Sequence, residues 1–408
     1  MDNSGKGAAP HVLLWPFPGH GHVDPTLPVA AELVRRGLHV TVATTERFAE
    51  AVTATGAEVL PYASALAGRP LPEVFDPDYL AREPLRAMIE AIATVPPIRS
   101  HFQHRQPPDL VVYDSSTYAA ARVAALTWSR PAIQMFPTFA SNEKWQLGPW
   151  IKDEFAPEID EHHPALLEFF YCMGELLSGY GLDDIDLERF HAPCEDHNLV
   201  FLPKFFQLGN EFFDDRHEFL GPCLPTNSGG TWQPPASGHP VLVVSLGTEK
   251  NKDTRFFHDC AQAFADLPWH VVLTLGGGMT VADLGPLPAN VEAHQYLSHA
   301  EVLPHATALV AHAGMSTTMR ALHHGVAQVL VPHTPEQHFV ARRAAELGIA
   351  RLLPRDQVTA HAVREAVLEL TSDDRARTRI HDLAEQTRAA GGTERAADLI
   401  QTRLEGRP

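Results

Sequence analysis

The chain reads as an α/β protein of two doubly wound, parallel-sheet domains. Three observations lead there. Its 408 residues exceed what one ordinary hydrophobic core organises, so two domains are expected. Short apolar runs alternate with helical patterns through both halves, the rhythm of parallel sheets covered by helices on both faces. A segment with five prolines and four glycines, Gly221–Pro240, separates the two series and has no period of its own. The domains are therefore placed at 1–220 and 241–390, with 221–240 as linker and 391–408 as a terminal helix.

In order, Val12–Phe17 is a strand-sized apolar run. A Pro/Gly/His loop follows, then a helical stretch, Pro25–Arg36, with apolar residues at Leu27, Ala30, Ala31 and Val34. Asp24-Pro25 predicts the start of that helix, with Asp24 as N-cap and Pro25 as its first residue. Gly37 stops it and His39–Ala43 is the next strand. The unit recurs as Asp109–Tyr113, the turn Asp114-Ser115-Ser116 and the helix Thr117–Trp128. From Phe136 to Tyr180 the pattern turns irregular, helix-leaning and aromatic. Such a segment suits a pocket for a bulky apolar ligand, and a plain helical excursion explains it equally well.

After the linker come the strand Val241–Leu246, a helix near Thr254–Phe264 and the strand His270–Leu275. The strands Val291–His294, Ala308–Ala311 and Gln328–Val331 follow with helices between them. Thr393–Leu404 closes the chain as a helix with Ala396, Leu399 and Ile400 on one face.

Composition excludes several classes. A formal charge of −18 argues against nucleic acid and against an anionic membrane surface as partners. No apolar run approaches the length of a membrane span, and the start of the sequence lacks the pattern of a signal peptide. The four cysteines, Cys172, Cys194, Cys223 and Cys260, are far apart and show no zinc spacing, so they read as reduced thiols of a cytoplasmic protein. The 24 histidines show no metal-ligand spacing, so neither a metal nor a cofactor is expected.

Two loops carry the chemistry. Pro18-Gly19-His20-Gly21-His22-Val23-Asp24-Pro25 follows the first strand, and the carboxyl ends of parallel strands are where such sheets bind ligands. His22 there is a natural base for an alcohol near neutral pH. Asp114, ending a later strand, is placed to orient it. The plain alternative makes His22 a polar loop residue and Asp114 a helix cap. Gly19 and Gly21 do not complete a dinucleotide fingerprint, because Asp24 stands where a small residue is needed.

In the second half, Ser245-Leu246-Gly247-Thr248 and His312-Ala313-Gly314-Met315-Ser316-Thr317 also follow strands. A helix beginning near Ser316 would direct its N-terminus at the same place and hold a diphosphate without a metal. By themselves Gly314 and Ser316 would equally well just begin a helix. Glu336 and Gln337 are suited to sugar hydroxyls, yet Thr334-Pro335-Glu336-Gln337 is also a capping box. Ser298-His299-Ala300-Glu301 reads as a capping box, and Asp184-Ile185-Asp186 as a solvated acidic run.

Taken together, these residues resemble the family 1 glycosyltransferases of the GT-B fold, in particular the bacterial macrolide glycosyltransferases. The resemblance runs from Gly-His-Gly-His-Val-Asp-Pro through Asp109-Leu110-Val111-Val112-Tyr113-Asp114 and Leu202-Pro203-Lys204. It continues through Val243-Val244-Ser245-Leu246-Gly247-Thr248 and His312-Ala313-Gly314 to Gly391-Gly392-Thr393. It implies two Rossmann-like domains, the first binding the acceptor and the second the nucleotide-sugar, with the last helix crossing back to the first. It also implies an inverting displacement at the anomeric carbon, with His22 as general base and Asp114 as its partner.

The donor side departs from the family pattern. Tyr296-Leu297-Ser298-His299 stands where many members have Trp-x-Pro-Gln around the base. Arg320 stands where many UDP-glucose users carry a Glu for the ribose hydroxyls, and an arginine accepts no hydrogen bond. Either the donor is a dTDP-deoxysugar, or UDP is held in another way with Arg320 turned to solvent or phosphate.

The expected function is transfer of a hexose or deoxyhexose from a UDP- or dTDP-sugar to a hydroxyl of a small hydrophobic natural product. Ser245, Gly247, Thr248, Tyr296, His312, Gly314, Ser316, Thr317, Arg320, Glu336 and Gln337 are the donor candidates. Phe139, Trp145 and Phe169 are the acceptor candidates. The competing readings are an accessory nucleotide-binding protein on the same fold and a sugar-nucleotide epimerase. A homodimer is left open.

Overall fold

The computed structural model describes residues 9–68, 72, 74–160, 162–225, 232–247 and 252–406. The first sheet contains β1 (His11–Trp15), β2 (His39–Thr45), β3 (Glu58–Tyr62), β4 (Leu110–Asp114), β5 (Ala132–Phe136), β6 (Asn198–Val200) and β7 (His217–Phe219). Its spatial order is β3-β2-β1-β4-β5-β6-β7, and every pairing is parallel.

The second sheet contains β8 (Val241–Ser245), β9 (His270–Thr274), β10 (Val291–His294), β11 (Ala308–Ala311), β12 (Ala327–Leu330) and β13 (Ala350–Leu352). Its order is β10-β9-β8-β11-β12-β13, again all parallel. The central strands are apolar on both faces because helices cover both: β4 and β8 are buried at every position. Burying each such Val or Leu contributes roughly 1.5–3 kcal/mol before entropy is charged against it.

The order of the strands decides where ligands go. In the first sheet the chain leaves β1 towards β2 and β3, whereas β4 and its successors build out on the other side. In the second, β8 and β11 are the corresponding neighbours. Loops leaving the carboxyl ends of such strand pairs diverge and open a crevice. The loops after β1, β4 and β11 are the ones the sequence singles out.

One expected boundary is corrected. The first helix is His20–Arg35, with Gly19 rather than Asp24 as N-cap, so Pro25 and Pro28 lie inside it. Extended Gly19 starts the helix a turn early, its carbonyl accepting from the N–H groups of His22 at 3.0 Å and Val23 at 2.9 Å. An interior proline forfeits a hydrogen bond. Both rings are buried with Val23, Val29 and Leu33, and that packing offsets the missing donors. His22 is therefore held in a helical first turn, which fixes its backbone more firmly than a loop would.

The region from 136 to 180 contains the helices Leu147–Phe155 and Pro164–Gly179. The terminal helix, Gly392–Glu405, packs on His20–Arg35, with Ala396, Ala397, Ile400 and Leu404 in the core of the first sheet. Arg36 pins it through Asp398 at 2.6 Å and Gln401 at 2.7 Å. Positions 226–231 of the linker segment lie outside the described residues.

Candidate functional site

His22 and Asp114 meet across the crevice between β1 and β4. His22 Nδ1 lies 2.7 Å from Asp114 Oδ2, and the Asp114 side chain is 1% exposed. Its other oxygen accepts the Ser116 N–H at 2.8 Å, so Asp114 also caps the turn that follows it. A buried carboxylate with these partners takes Nδ1–H as its donor and leaves the lone pair on Nε2. Burial alone would lower the His22 pKa. The charge and hydrogen bond of Asp114, with a further contribution from the Glu336 carboxylate, outweigh it and hold the imidazole above its ordinary value. The imidazole is thus more basic than usual, oriented by Asp114 and partly exposed.

On the opposite wall, the loop after β11 brings His312 between two glycines. A Cβ on Gly247 would lie 2.6 Å from His312 Cε1, and one on Gly314 would lie 2.6 Å from Nε2. Only glycine fits at either place, and Gly247 also has φ +78°. Ala313 is held at φ +63°, an uncommon conformation for a residue with a Cβ, and one that recurs at functional turns. Gly314 is the N-cap of the helix Met315–His323. Ser316 and Thr317 lie in its first turn, where backbone N–H groups have no intrahelical partner. Burial lowers the His312 pKa to about 4, opposed by the Ser245 backbone carbonyl as acceptor, so the ring is neutral.

The remaining donor candidates divide. Ser245 is 3% exposed and its Oγ accepts from Gly247 N–H at 3.3 Å, so it shapes the turn. Thr248 lies outside the described residues. Tyr296 is 70% exposed, an open aromatic face on the same domain. Arg320 is half-buried rather than turned to solvent. Burial lowers its pKa, opposed by the Asp24 carboxylate on the first domain. Half of the expected capping box forms: the Gln337 N–H bonds Thr334 Oγ1 at 3.2 Å, but its Oε1 accepts from the His333 N–H at 2.9 Å rather than from that of Thr334. Glu336 instead reaches the first domain, accepting from Thr138 Oγ1 at 2.9 Å.

Two acceptor candidates lie in the packed interior. Phe139 and Trp145 are 3% and 4% exposed. Phe139 stacks on Phe206, and Trp145 packs on Phe213, Trp150 and the backbone at Gly209. Both belong to the buried apolar cluster that includes Phe206, Leu208 and Phe213. Phe169 does line a cavity, of about 120 Å³, with Met88, Ala91, Ser116, Tyr118 and His191. The sequence missed these: an apolar stripe on a helix reads the same whether a pocket or a neighbour covers it.

Among the described residues no group of three or more His, Cys, Asp or Glu side chains is arranged to hold a metal. No helix among the described residues is long and apolar enough to cross a membrane. The Asp184–Asp186 run does local work, with Asp186 capping the short helix Leu187–Phe190.

Comparison with known proteins gives a consistent result. Residues 260–401 match the C-terminal domain described as erythromycin biosynthesis protein CIII-like. The chain is 38% identical over 408 aligned residues to demethyllactenocin mycarosyltransferase of Streptomyces fradiae, covering 96% of this chain and 86% of that one. It is 33% identical over 406 residues to oleandomycin glycosyltransferase of Streptomyces antibioticus, covering 97% and 91%. Among solved structures, the calicheamicin glycosyltransferase CalG4 superposes with a TM-score of 0.86 at 38% identity, covering 98% of this chain and 99% of that one.

Proposed function

Because the chain belongs to the GT-B glycosyltransferases of the macrolide and natural-product type, we propose that it is an inverting O-glycosyltransferase in which His22 is the base. The single observation that carries this reading is the 2.7 Å His22–Asp114 contact, set opposite the His312-Ala313-Gly314 turn. The donor is a sugar carried on a pyrimidine nucleoside diphosphate, uridine or thymidine. The acceptor is a hydroxyl of a hydrophobic natural product.

In the reaction, the acceptor hydroxyl enters beside His22 and gives its proton to Nε2. Its oxygen forms a bond to the anomeric carbon from the face opposite the diphosphate, and the bond from that carbon to the phosphate oxygen breaks. The nucleoside diphosphate departs with the electron pair. Asp114 stabilises the imidazolium that results, which is the charge that develops as the proton moves.

The backbone N–H groups at the start of Met315–His323 and the neutral His312 ring receive the diphosphate, and Gly247 and Gly314 allow its close approach. Tyr296 offers a face on which the pyrimidine stacks. Glu336 accepts hydrogen bonds from the sugar hydroxyls.

The test is a donor panel of UDP-glucose, dTDP-glucose, UDP and dTDP by calorimetry, followed by mass analysis of a hydroxylated macrolide acceptor. Nucleotide binding and a hexose added to the acceptor are expected. Absence of nucleotide binding would sink the reading, and an epimerised free nucleotide-sugar would replace it.

A further inference from the structure

The part-buried hydrogen bond between Thr138 and Glu336 joins two residues 198 positions apart, one from each sheet's domain. Thr138 lies in the loop after β5, and that loop is tightly braced. Ala140 N–H bonds Gln207 Oε1 at 2.9 Å, and Gln207 Nε2 bonds the Leu208 carbonyl at 2.8 Å. Asn142 Oδ1 accepts from the N–H groups of both Lys144 and Trp145 at 2.8 Å.

Glu336 lies in the first turn of the helix Pro335–Glu346, and that helix is fastened to the same side. Arg343 donates to the carbonyls of Phe205 at 2.6 Å and Phe206 at 3.2 Å, and Arg342 pairs with Glu154 at 2.8 Å. Phe339 packs against Trp150 and Phe155. Each end of the Thr138–Glu336 bond is therefore braced by its own contacts to the first domain.

A glutamate has three rotatable bonds, and a free one would lose that freedom each time it met a sugar. Thr138 takes up only Oε1. We propose that Thr138 is a positioning residue for the donor sugar, holding the Glu336 carboxylate so that its second oxygen is already placed for a sugar hydroxyl. This rests on the transferase reading above and extends it to the acceptor domain, which thereby takes part in choosing the donor. Glu336 held in this way also stands near enough to His22 to favour its protonated form. Sugar recognition and the strength of the base then share one carboxylate.

The test compares Thr138→Val, Thr138→Ser, Glu336→Gln and the Thr138→Val/Glu336→Gln double variant with wild type. Affinity is measured for the nucleotide-sugar that wild type accepts and for the bare nucleoside diphosphate. Thr138→Val should weaken the nucleotide-sugar roughly tenfold, the worth of a hydrogen bond to a charged group, while the bare diphosphate stays within about twofold. Thr138→Ser should restore donor affinity, and the double variant should be no weaker than Glu336→Gln alone.

The acid limb of kcat/KM should move to lower pH in Thr138→Val, a change that a merely structural tie would not produce. Unchanged donor affinity in Thr138→Val would overturn the inference, as would equal loss for sugar-nucleotide and bare diphosphate, or additive effects in the double variant. If wild type transfers sugar while any of these holds, this inference fails and the transferase reading stands. If wild type binds no nucleotide, both fall.

Discussion

Asp114→Asn separates the charge of Asp114 from everything else that residue does. The side chain is buried, with Oδ2 2.7 Å from His22 Nδ1 and Oδ1 2.8 Å from Ser116 N. Asparagine keeps an oxygen for Ser116, so the cap survives and the fold should too. Where Oδ2 stood there is now an NH2 group, which donates. His22 Nδ1 must then accept, and the ring proton moves to Nε2, the nitrogen the acceptor hydroxyl needs. Loss of the charge also removes the main influence that raises the pKa of a base that burial by itself would weaken.

Together the two effects should lower kcat by roughly 10²–10⁴-fold, or about 3–5 kcal/mol of barrier. Affinity for the nucleoside diphosphate should be unchanged. In wild type the active base is lost as pH falls through its raised pKa, and in the variant the limb should move to lower pH.

Linkage gives an independent check. A histidine with a raised folded pKa adds stability below its unfolded value of about 6.5 and loses that contribution as pH rises through the folded value. The variant's melting temperature should therefore fall further below wild type at pH 6 than at pH 9. Initial rates across pH, calorimetry with UDP and dTDP, and thermal melting measure all of this. A variant with kcat within about threefold of wild type and an unmoved acid limb would refute the base assignment.

Gly314→Ala places a methyl 2.6 Å from His312 Nε2 and should weaken diphosphate binding by about tenfold or more in calorimetry, with a near-native far-UV spectrum. Arg320→Glu should shift the donor panel towards UDP over dTDP, because a carboxylate accepts from the ribose 2′-hydroxyl and a guanidinium does not; an unmoved preference would detach Arg320 from the ribose. Burial holds His11, His299, His312 and His324 at about 4. Their folded values lie below the unfolded one, so stability is full above about pH 6.5 and is lost as pH falls towards 4. Melting at pH 5 should come roughly 5 °C or more below that at pH 7.5. Arg36→Ala removes the contacts to Asp398 and Gln401 and should cost about 1–2 kcal/mol in denaturant unfolding, with faster proteolysis near the last helix.

Much of the architecture was legible because parallel strands buried on both faces must be continuous apolar runs. Val12–Phe17, Val241–Leu246 and Ala308–Ala311 announce themselves in that way, and the loops that follow them inherit a position at the sheet edge. The positions of His22, Asp114, His312 and Gly314 were readable for the same reason: Asp114 ends such a strand, His312 and Gly314 follow one, and His22 stands in the first turn of the helix after one.

What required the tertiary structure is whatever depends on partners distant in the chain. Pro25 looks like a helix start until its burial against the sheet is seen. Phe139 and Trp145 look like a pocket wall until Phe206 and Phe213 are found against them. Gln337 and Glu336 are neighbours in the first turn of one helix, yet one turns back to His333 and the other crosses the cleft to Thr138. Sequence periodicity decides which face of an element is buried. It does not contain the identity of what lies on the other side, because that is settled only when the two sheets pack and each polar group takes the partner within reach.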